Sequence, residues 1–159
     1  MRSLINTDNL GQTALHFCAS KIALDLARLL LKQSPPASAR IKDKRGQLPL
    51  HRAAAIGSVP MMKILLDAKS PLDATDVDGM TALHHAVCEG HGDAALLLLT
   101  MGADFEKEDR DGKRALDLVP DAKVCRIWVP MDCKCDELTN IQTKTFILQA
   151  AEREGIDLE

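Results

Sequence analysis

The sequence predicts an all-α solenoid in which pairs of short helices repeat along the chain. Four hexapeptides align on a glycine, and the glycines at positions 11, 46, 79 and 112 lie 35, 33 and 33 residues apart. Two of the hexapeptides are Gly46-Gln47-Leu48-Pro49-Leu50-His51 and Gly79-Met80-Thr81-Ala82-Leu83-His84. The chain is 46% hydrophobic but only 3% aromatic. Small Ala and Leu side chains must therefore fill the interior, as they do in thin layers of stacked helices.

Each aligned glycine follows a short polar segment and precedes a helix start signal. Glycine tolerates the positive φ of a tight hairpin turn. Thr13 and Thr81 can cap the helix that follows, and Pro49 suits the first turn of its helix. A period of about 33 residues with a Thr-Pro-Leu-His signature is typical of ankyrin repeats. The sequence therefore predicts about four such repeats, with β-hairpin tips between the helix pairs.

Each repeat is expected to contain an inner helix and an outer helix. Alanines at 53–55 would let a neighbouring layer approach the inner helix closely. The outer helices carry larger apolar residues at spacings of three and four, which places them on one face: Leu24, Ala27, Leu30 and Leu31, then Met61, Ile64 and Leu65. Gly57 and Gly90 fall between paired helices, where a left-handed residue is needed. The two extra residues of the first repeat fall near Ser34-Pro35-Pro36.

Composition argues against several classes of partner. The net charge is −3, so no overall basic field attracts nucleic acid or an acidic membrane surface. The longest apolar run, 94–99, is too short to span a membrane. Five Cys at uneven positions do not form a disulfide framework. A reducing compartment is expected, and we predict a cytoplasmic and nuclear protein.

No catalytic motif is apparent, so we predict a protein that is not an enzyme and takes no cofactor and no small-molecule substrate. The serines lack a nucleophile elbow, and no glycine-rich phosphate loop is present. His84, Cys88 and His91 have helical spacing for a metal, but Gly90 should end the helix between them. The three Cys at 125, 133 and 135 fall short of the four ligands of a structural zinc site. A metal-dependent enzyme is the remote alternative.

Three segments go beyond the generic repeat pattern: 40–54 (RIKDKRGQLPLHRAA), 89–95 (EGHGDAA) and 147–156 (ILQAAEREGI). They resemble the gankyrin family of proteasome assembly chaperones in its fungal form, and the resemblance covers 6–123 and 143–158. It implies a concave surface that binds the C-terminal domain of one subunit of the proteasomal ATPase ring. The resemblance further implies that such binding keeps the immature base of the regulatory particle from docking prematurely on the core particle. Another ankyrin adaptor, such as a kinase inhibitor, is the alternative.

Charge patterns on the inner helices and tips indicate where a partner would bind. One tip segment is basic and the next two are acidic, and opposite stripes of this kind favour electrostatic recognition. The residue after the signature histidine should face the concavity, as should the residue one turn later. The predicted partner-binding residues are Phe17, Lys21, Arg40, Lys42, Lys44, Arg45, Arg52, Asp76, Asp78, His85, Glu89, Asp109 and Asp111.

The chain departs from the family in two places. Family members have about seven repeats and this chain enters near the end of one, so we expect an exposed apolar face around Leu15 and Leu24. Residues 124–142 interrupt the pattern and contain Trp128. We divide the chain into ankyrin repeats at 1–123, an insert at 124–142 and a capping helix at 143–159. We interpret the insert as a translated intron, and a genuine surface loop is the alternative.

Overall fold

A computed structural model describes residues 7–118 together with Gln149, Glu152, Arg153 and Gly155. The predicted insert at 124–142 lies outside these described residues, as does most of the predicted capping helix at 143–159. Within that helix, Gln149, Glu152 and Arg153 have helical backbone conformation.

Three helix pairs follow one another along the described chain. Their bounds are α1 (Ala14–Lys21) and α2 (Leu24–Lys32), α3 (Pro49–Ile56) and α4 (Val59–Asp67), and α5 (Ala82–Cys88) and α6 (Gly92–Thr100). A 3₁₀ turn, Ala115–Leu118, begins the next repeat. The helices α1, α3 and α5 pack side by side as an inner row, and α2, α4 and α6 form an outer row. This arrangement confirms the predicted all-α ankyrin solenoid.

The helices begin and end at the predicted signals. Thr81 is the N-cap of α5 and its hydroxyl accepts a hydrogen bond from the His84 amide at 3.4 Å. Pro49 occupies the first turn of α3, and Gly57 closes that helix in the left-handed region at φ 74°. The equivalent position after α1 is Ile22, which is left-handed at φ 56° without the freedom of glycine.

The four turns between repeats, called tips 1 to 4 here, share one geometry. They span 8–11, 43–46, 76–79 and 109–112, and in each the glycine amide donates to the carbonyl of the aspartate three residues earlier. The predicted β-hairpins are wrong in that no paired strands flank the turns in the described part of the chain. Among the described residues the only strand-like pairing is an isolated bridge between Glu108 and Arg114. The next helix or 3₁₀ turn begins three residues after each tip glycine. Beyond the turn itself, this leaves room for one backbone bond, from the aspartate amide to the carbonyl of the residue after the glycine.

Backbone hydrogen bonds join successive tips. The amide of Lys44 donates to Leu10 O at 2.9 Å, and that of Arg110 donates to Asp78 O at 3.0 Å. The tip glycines permit this approach, since a Cβ on Gly79 would lie 2.9 Å from the Arg110 nitrogen. Successive tips are therefore in direct backbone contact.

A second set of inter-repeat bonds comes from the signature histidines. Nε2 of His16 lies 2.9 Å from Gln47 O, Nε2 of His51 lies 2.9 Å from Ala74 O, and Nε2 of His84 lies 3.2 Å from Lys113 O. In each case Nδ1 accepts a backbone N–H from the residue three positions earlier. This leaves the ring proton on Nε2, where it is donated to the carbonyl of the next repeat. The neutral imidazole satisfies both contacts.

The core runs through the stack between the two rows of helices. Leu15, Leu50 and Leu83 occupy equivalent positions and are all buried, with Ala53, Ala54 and Ala86 at the close contacts between inner helices. The expected exposure around Leu15 is wrong, because Leu15 is 1% exposed. It points into its own helix pair, and Leu24 is partly buried.

Exposed apolar side chains of the first repeat lie instead on α2. Leu26 is 51% exposed and Leu29 is 61% exposed, whereas the residues equivalent to Leu26 in the next two repeats, Met61 and Ala94, are fully buried. In those repeats the preceding helix pair covers the position.

The stacking of tips predicts different costs for two glycine substitutions. Gly112→Ala introduces backbone strain, since φ is 73°, and among the described residues no atom lies within 4 Å of the new Cβ. We expect it to lower the free energy of unfolding by about 1 kcal/mol. Gly79→Ala adds a collision with backbone of tip 4 and should cost roughly 2–4 kcal/mol. Urea denaturation monitored by circular dichroism measures both, and equal costs would refute tight tip stacking.

The buried histidines predict acid sensitivity. Burial, assisted by the nearby His85 charge, lowers the pKa of His51 from the ordinary 6.5 to about 4. Burial also lowers the pKa of His16 and of His84. The unfolded imidazole takes up a proton as the pH falls below 6.5, whereas folded His51 does so only near 4. Stability should therefore be lost as the pH falls through this window, by roughly 2–4 kcal/mol from His51 alone.

The comparison that isolates His51 is between the wild-type chain and His51→Gln. The variant should be less stable at pH 7, because it loses a buried hydrogen bond, but its stability should fall less between pH 7 and pH 4.5. Urea denaturation at several pH values measures both effects. Parallel pH profiles for the two chains would contradict the assignment.

Candidate protein-binding site

The tips are built around one aspartate in each repeat. One carboxylate oxygen, Oδ1, accepts the amides two and four residues later, at 2.8–2.9 Å for Asp8, 2.9 Å for Asp43 and Asp109, and 3.0 Å for Asp76. Asp76 and Asp109, predicted as partner contacts, therefore hold their own turns together. The sequence carried a signal for this role, since aspartate stands three residues before the glycine in all four tips.

The other carboxylate oxygen is bound from the inner helix in two of the repeats. Asp43 Oδ2 accepts from the Arg52 guanidinium at 3.0 Å, and Asp76 Oδ2 lies 2.9 Å from His85 Nε2. Both aspartate side chains are only 1% exposed. Nine residues separate the partners in each pair, so the same geometry recurs one repeat later. Arg52 and His85 thus lie on the inner-helix side as predicted, but each is engaged within the chain.

Competing effects set the pKa of these carboxyl groups. For Asp43, burial opposes ionisation, yet the hydrogen bonds from the Gln47 amide, Arg52 and the Arg45 amide hold the pKa below its ordinary value. For Asp76, burial again opposes ionisation and is outweighed by hydrogen bonds from His85, the Met80 and Asp78 amides and Gln47. Both groups are therefore carboxylates at neutral pH.

The His85 ring also contacts the core. It meets His51 edge to face, with ring centroids 5.6 Å apart and planes at 83°. Asp76 of tip 3, His85 of α5 and the buried His51 of α3 thus form one connected polar cluster. A partner that binds His85 would act on this cluster and not on a free side chain.

The free charges of the predicted set lie at tip 2 and at the ends of the inner helices. Lys44 and Arg45 are exposed at tip 2, and Asp78 and Asp111 are exposed at tips 3 and 4. Lys21 and Glu89 are exposed at the ends of α1 and α5. Lys42 is exposed too, but its ammonium group donates to Thr75 O at 2.7 Å.

Arg40 is turned away from this group. Its Nε donates to Lys69 O at 3.0 Å, and its side chain lines a groove between the outer helices. The structure therefore separates Arg40 from the tip residues with which the sequence grouped it.

Exposed apolar side chains lie among the charges. Phe17 is 47% exposed, Ile56 is 37% exposed and Val77 at tip 3 is 43% exposed. We call these three residues, together with Lys21, Lys44, Arg45, Arg52, Asp78, His85, Glu89, Arg110 and Asp111, the inner face. Desolvated apolar anchors ringed by polar groups are typical of protein interfaces.

Three members of the inner face, Ile56, Val77 and Arg110, are absent from the predicted partner-binding residues, and two of these lie at the tips. Val77 and Arg110 occupy the tip position held by Lys44, one and two repeats later. Arg110 is an exposed cation within the acidic tip 4. Alignment of the tips by their aspartates would have found both residues. The segregation of sign between the basic tip and the two acidic tips is accordingly less strict than predicted.

Neither a metal centre nor a membrane span is found in the part of the chain that the structure describes. Within residues 7–118 and the four described tail residues, no three His, Cys, Asp or Glu side chains converge to hold an ion. No helix in this part of the chain has both the length and the apolar character to cross a membrane.

Comparison with known proteins agrees with this architecture. The family model for ankyrin repeats in three copies matches residues 24–109, more than half of the chain. This chain is an ankyrin-repeat protein. Its inner helices and tips are thus the elements with which a repeat stack of this kind presents a binding surface.

Several curated proteins resemble this ankyrin-repeat protein. "Probable 26S proteasome regulatory subunit p28" of Saccharomyces cerevisiae is 39% identical over 123 residues, which is 76% of this chain and 53% of the relative. An ankyrin repeat-containing protein of Schizosaccharomyces pombe is 43% identical over 72% of this chain and 49% of its own length. The B-cell lymphoma 3 protein homolog of Mus musculus is 37% identical over 64% of this chain and 23% of its own length. The chain spans about half the length of the first two relatives.

The Arg52–Asp43 pair generates a prediction about stability. Arg52→Ala leaves the buried Asp43 carboxylate without its cation, and we expect a loss of about 1–3 kcal/mol in the free energy of unfolding. The double variant Arg52→Ala with Asp43→Asn keeps the Oδ1 acceptor of the turn but removes the charge. It should recover part of the loss. Chemical denaturation of the wild-type chain, the two single variants Arg52→Ala and Asp43→Asn and the double variant measures the coupling. Strictly additive effects would argue against the pair.

Proposed function

We propose that this protein is a non-catalytic scaffold that assists assembly of the proteasome regulatory particle. In this proposal the inner face binds the C-terminal domain of a subunit of the proteasomal ATPase ring. The bound chain then delays docking of the immature base of the regulatory particle on the core particle. The observation that carries the proposal is the 39% identity to a yeast 26S proteasome regulatory subunit across these repeats. The fungal family resemblance of segments 40–54 and 147–156 points in the same direction.

The inner face supports a binding role through its mixture of exposed groups. Lys44 and Arg45 project from a turn whose conformation is set by Asp43, so their positions are defined before a partner arrives. Preorganised charge of this kind accelerates association with an acidic partner and fixes its orientation. Phe17, Ile56 and Val77 supply the apolar surface that charges alone would lack.

A binding role also accounts for the histidines that could otherwise suggest catalysis. The three signature histidines donate to backbone carbonyls, and His85 is paired with Asp76. In the proposal none of them is a general base, because their ring nitrogens serve the fold. Cytoplasm and nucleus are the compartments we propose for this role.

A second candidate is a different ankyrin adaptor. It is favoured by the 37% identity to the B-cell lymphoma 3 protein homolog, which is close to the value for the proteasomal relative. Matches of this kind reflect the repeat itself, since only 23% of that protein is covered. The experiment below separates the two candidates because it supplies the proteasomal partner directly.

Charge reversal at tip 2 tests the proposal. The chain is titrated with the isolated C-terminal domain of each proteasomal ATPase subunit at low and moderate salt. One domain should bind, with affinity that falls as salt rises. Lys44→Glu with Arg45→Glu should weaken that binding roughly tenfold at low salt and reduce its salt dependence.

The matched control is a pair of single reversals with equal change in net charge. Lys44→Glu alters tip 2, whereas Lys63→Glu alters an exposed position on α4 in the outer row. Only the first should weaken binding. If no ATPase domain binds a chain that circular dichroism shows to be folded, the second candidate is favoured. Equal losses from the two single reversals would disprove the placement of the site.

A further inference from the structure

A groove opens on the outer side of the stack, between the C-terminal ends of α2 and α4. It encloses about 730 Å³. Its floor is apolar and includes Leu31, Ala37 and Ile64, all partly buried against the core. A volume of this size accommodates several side chains. The groove belongs to the junction between the first two helix pairs and shares no residue with the inner face.

The chain builds this groove with the two residues by which the first repeat exceeds the others. The aligned glycines at 11 and 46 are 35 residues apart, whereas the next spacing is 33. The excess falls after α2 ends at Lys32, in the segment 33–39. The segment folds back on the helix, where the Ala37 amide donates to Leu30 O at 3.0 Å. The longer connection forms one wall of the groove.

The rim of the groove is strongly basic. Arg28, Lys32, Arg40 and Lys69 line it together with one carboxylate, Asp67. All four cations are exposed, in a chain whose net charge is −3. Among the described residues, the one ion pair that involves them joins Arg28 to Asp25 at 3.6 Å, and it is exposed and therefore weak.

Helix C-termini oppose an anion, so their effect must be weighed against the cations. The carbonyls at the ends of α2 and α4 carry partial negative charge. Several of them are already bonded within the chain: Leu30 O accepts from Ala37, Leu65 O from Ser70, and Leu66 O from Lys69. Asp67 offsets one of the four positive charges of the rim, and the remaining three outweigh the partial charge of the carbonyls. The groove is therefore positive overall.

Lys69 occupies its place on the rim at a conformational cost. Its φ is 61°, in the left-handed region, and the equivalent position after α6 is Gly102 at φ 86°. A side chain there costs about 1–2 kcal/mol of backbone strain. The Arg40 guanidinium donates to Lys69 O and ties the two rim residues together across the repeat junction. The first junction thus holds a charge where the later repeat has a glycine.

We propose that this groove binds an acidic segment of a partner protein, with carboxylates on the four rim cations and one or two aliphatic side chains on the floor. The complementary charge selects the acidic residues, and the apolar floor requires aliphatic ones beside them. The site is separate from the inner face, so the chain can bind two proteins at once. This inference does not depend on the identity of the inner-face partner.

Selection from a random peptide library tests the proposal, because such a selection does not require the partner to be identified first. Twelve-residue peptides are displayed and selected on the immobilised full chain. The enriched sequences should combine Asp or Glu with Leu, Ile or Val. Synthetic copies of the selected peptides should perturb the amide NMR signals of residues at 31, 37, 64 and 68. A selected pool without acidic residues, or with no peptide that maps to the groove, would overturn the proposal.

Matched charge reversals locate the binding. Arg28→Glu with Lys32→Glu should weaken the selected peptides at least tenfold, and both side chains are exposed, so the fold should persist by circular dichroism. Lys63→Glu with Lys113→Glu makes the same change in net charge at exposed positions outside both the groove and the inner face, and it should alter affinity less than twofold. Equal weakening by the two pairs would show non-specific charge attraction and would also overturn the proposal.

Discussion

Three buried imidazoles connect the repeats, and the rest of the stack depends on them. His16, His51 and His84 each accept a backbone N–H at Nδ1 and place Nε2 against a carbonyl of the next repeat. Each imidazole therefore binds the N-cap residue of its own helix and fixes the distance to the following repeat. A neutral ring is required for both contacts, and burial keeps it neutral. Stacking of the apolar layers follows from this spacing.

The tip aspartates extend the same network to the surface. Each uses one oxygen to hold its turn, and Asp43 and Asp76 use the other to engage an inner helix. As a consequence, charged residues that look alike in the sequence have different roles in the structure. Arg52 and His85 are paired within the fold, whereas Lys44 and Arg45 extend from it. In the proposed function, partner recognition by the inner face therefore depends on side chains whose loss would leave the network intact.

Variation between repeats creates the features that a perfect repeat would lack. Two additional residues after α2 produce a groove, and Lys69 replaces the glycine found after α6. Val77 is apolar at the tip position where tips 2 and 4 carry Lys44 and Arg110. Sites of this kind arise because each repeat makes the same backbone contacts, so differences in side chain or loop length are tolerated at the surface. The backbone of the stack is therefore uniform, and the differences between repeats lie in surface side chains and loop length.

Periodicity and turn chemistry were enough to predict the helix pairs, the cap at Thr81, Pro49 in the first turn of α3, and the left-handed Gly57. These features depend on neighbours within a few residues, and the sequence displays such neighbours directly. Burial in the first repeat was harder to predict. Leu15 and Leu26 are both leucines on amphipathic helices, but only Leu15 points into its own helix pair. The preceding layer decides the exposure of Leu26, and that layer is a matter of position in the stack.

The sequence by itself determined the repeat, its period and the residue types of its tips, because those follow from local conformational preference and apolar spacing. Tertiary structure alone decided which charges are free. Arg40, Arg52 and Asp76 all have the sequence pattern of surface charges, yet one bridges two repeats, one neutralises a buried carboxylate, and one is buried beneath a histidine. Their partners lie nine or more residues away, and only the folded chain brings those side chains within hydrogen-bonding distance.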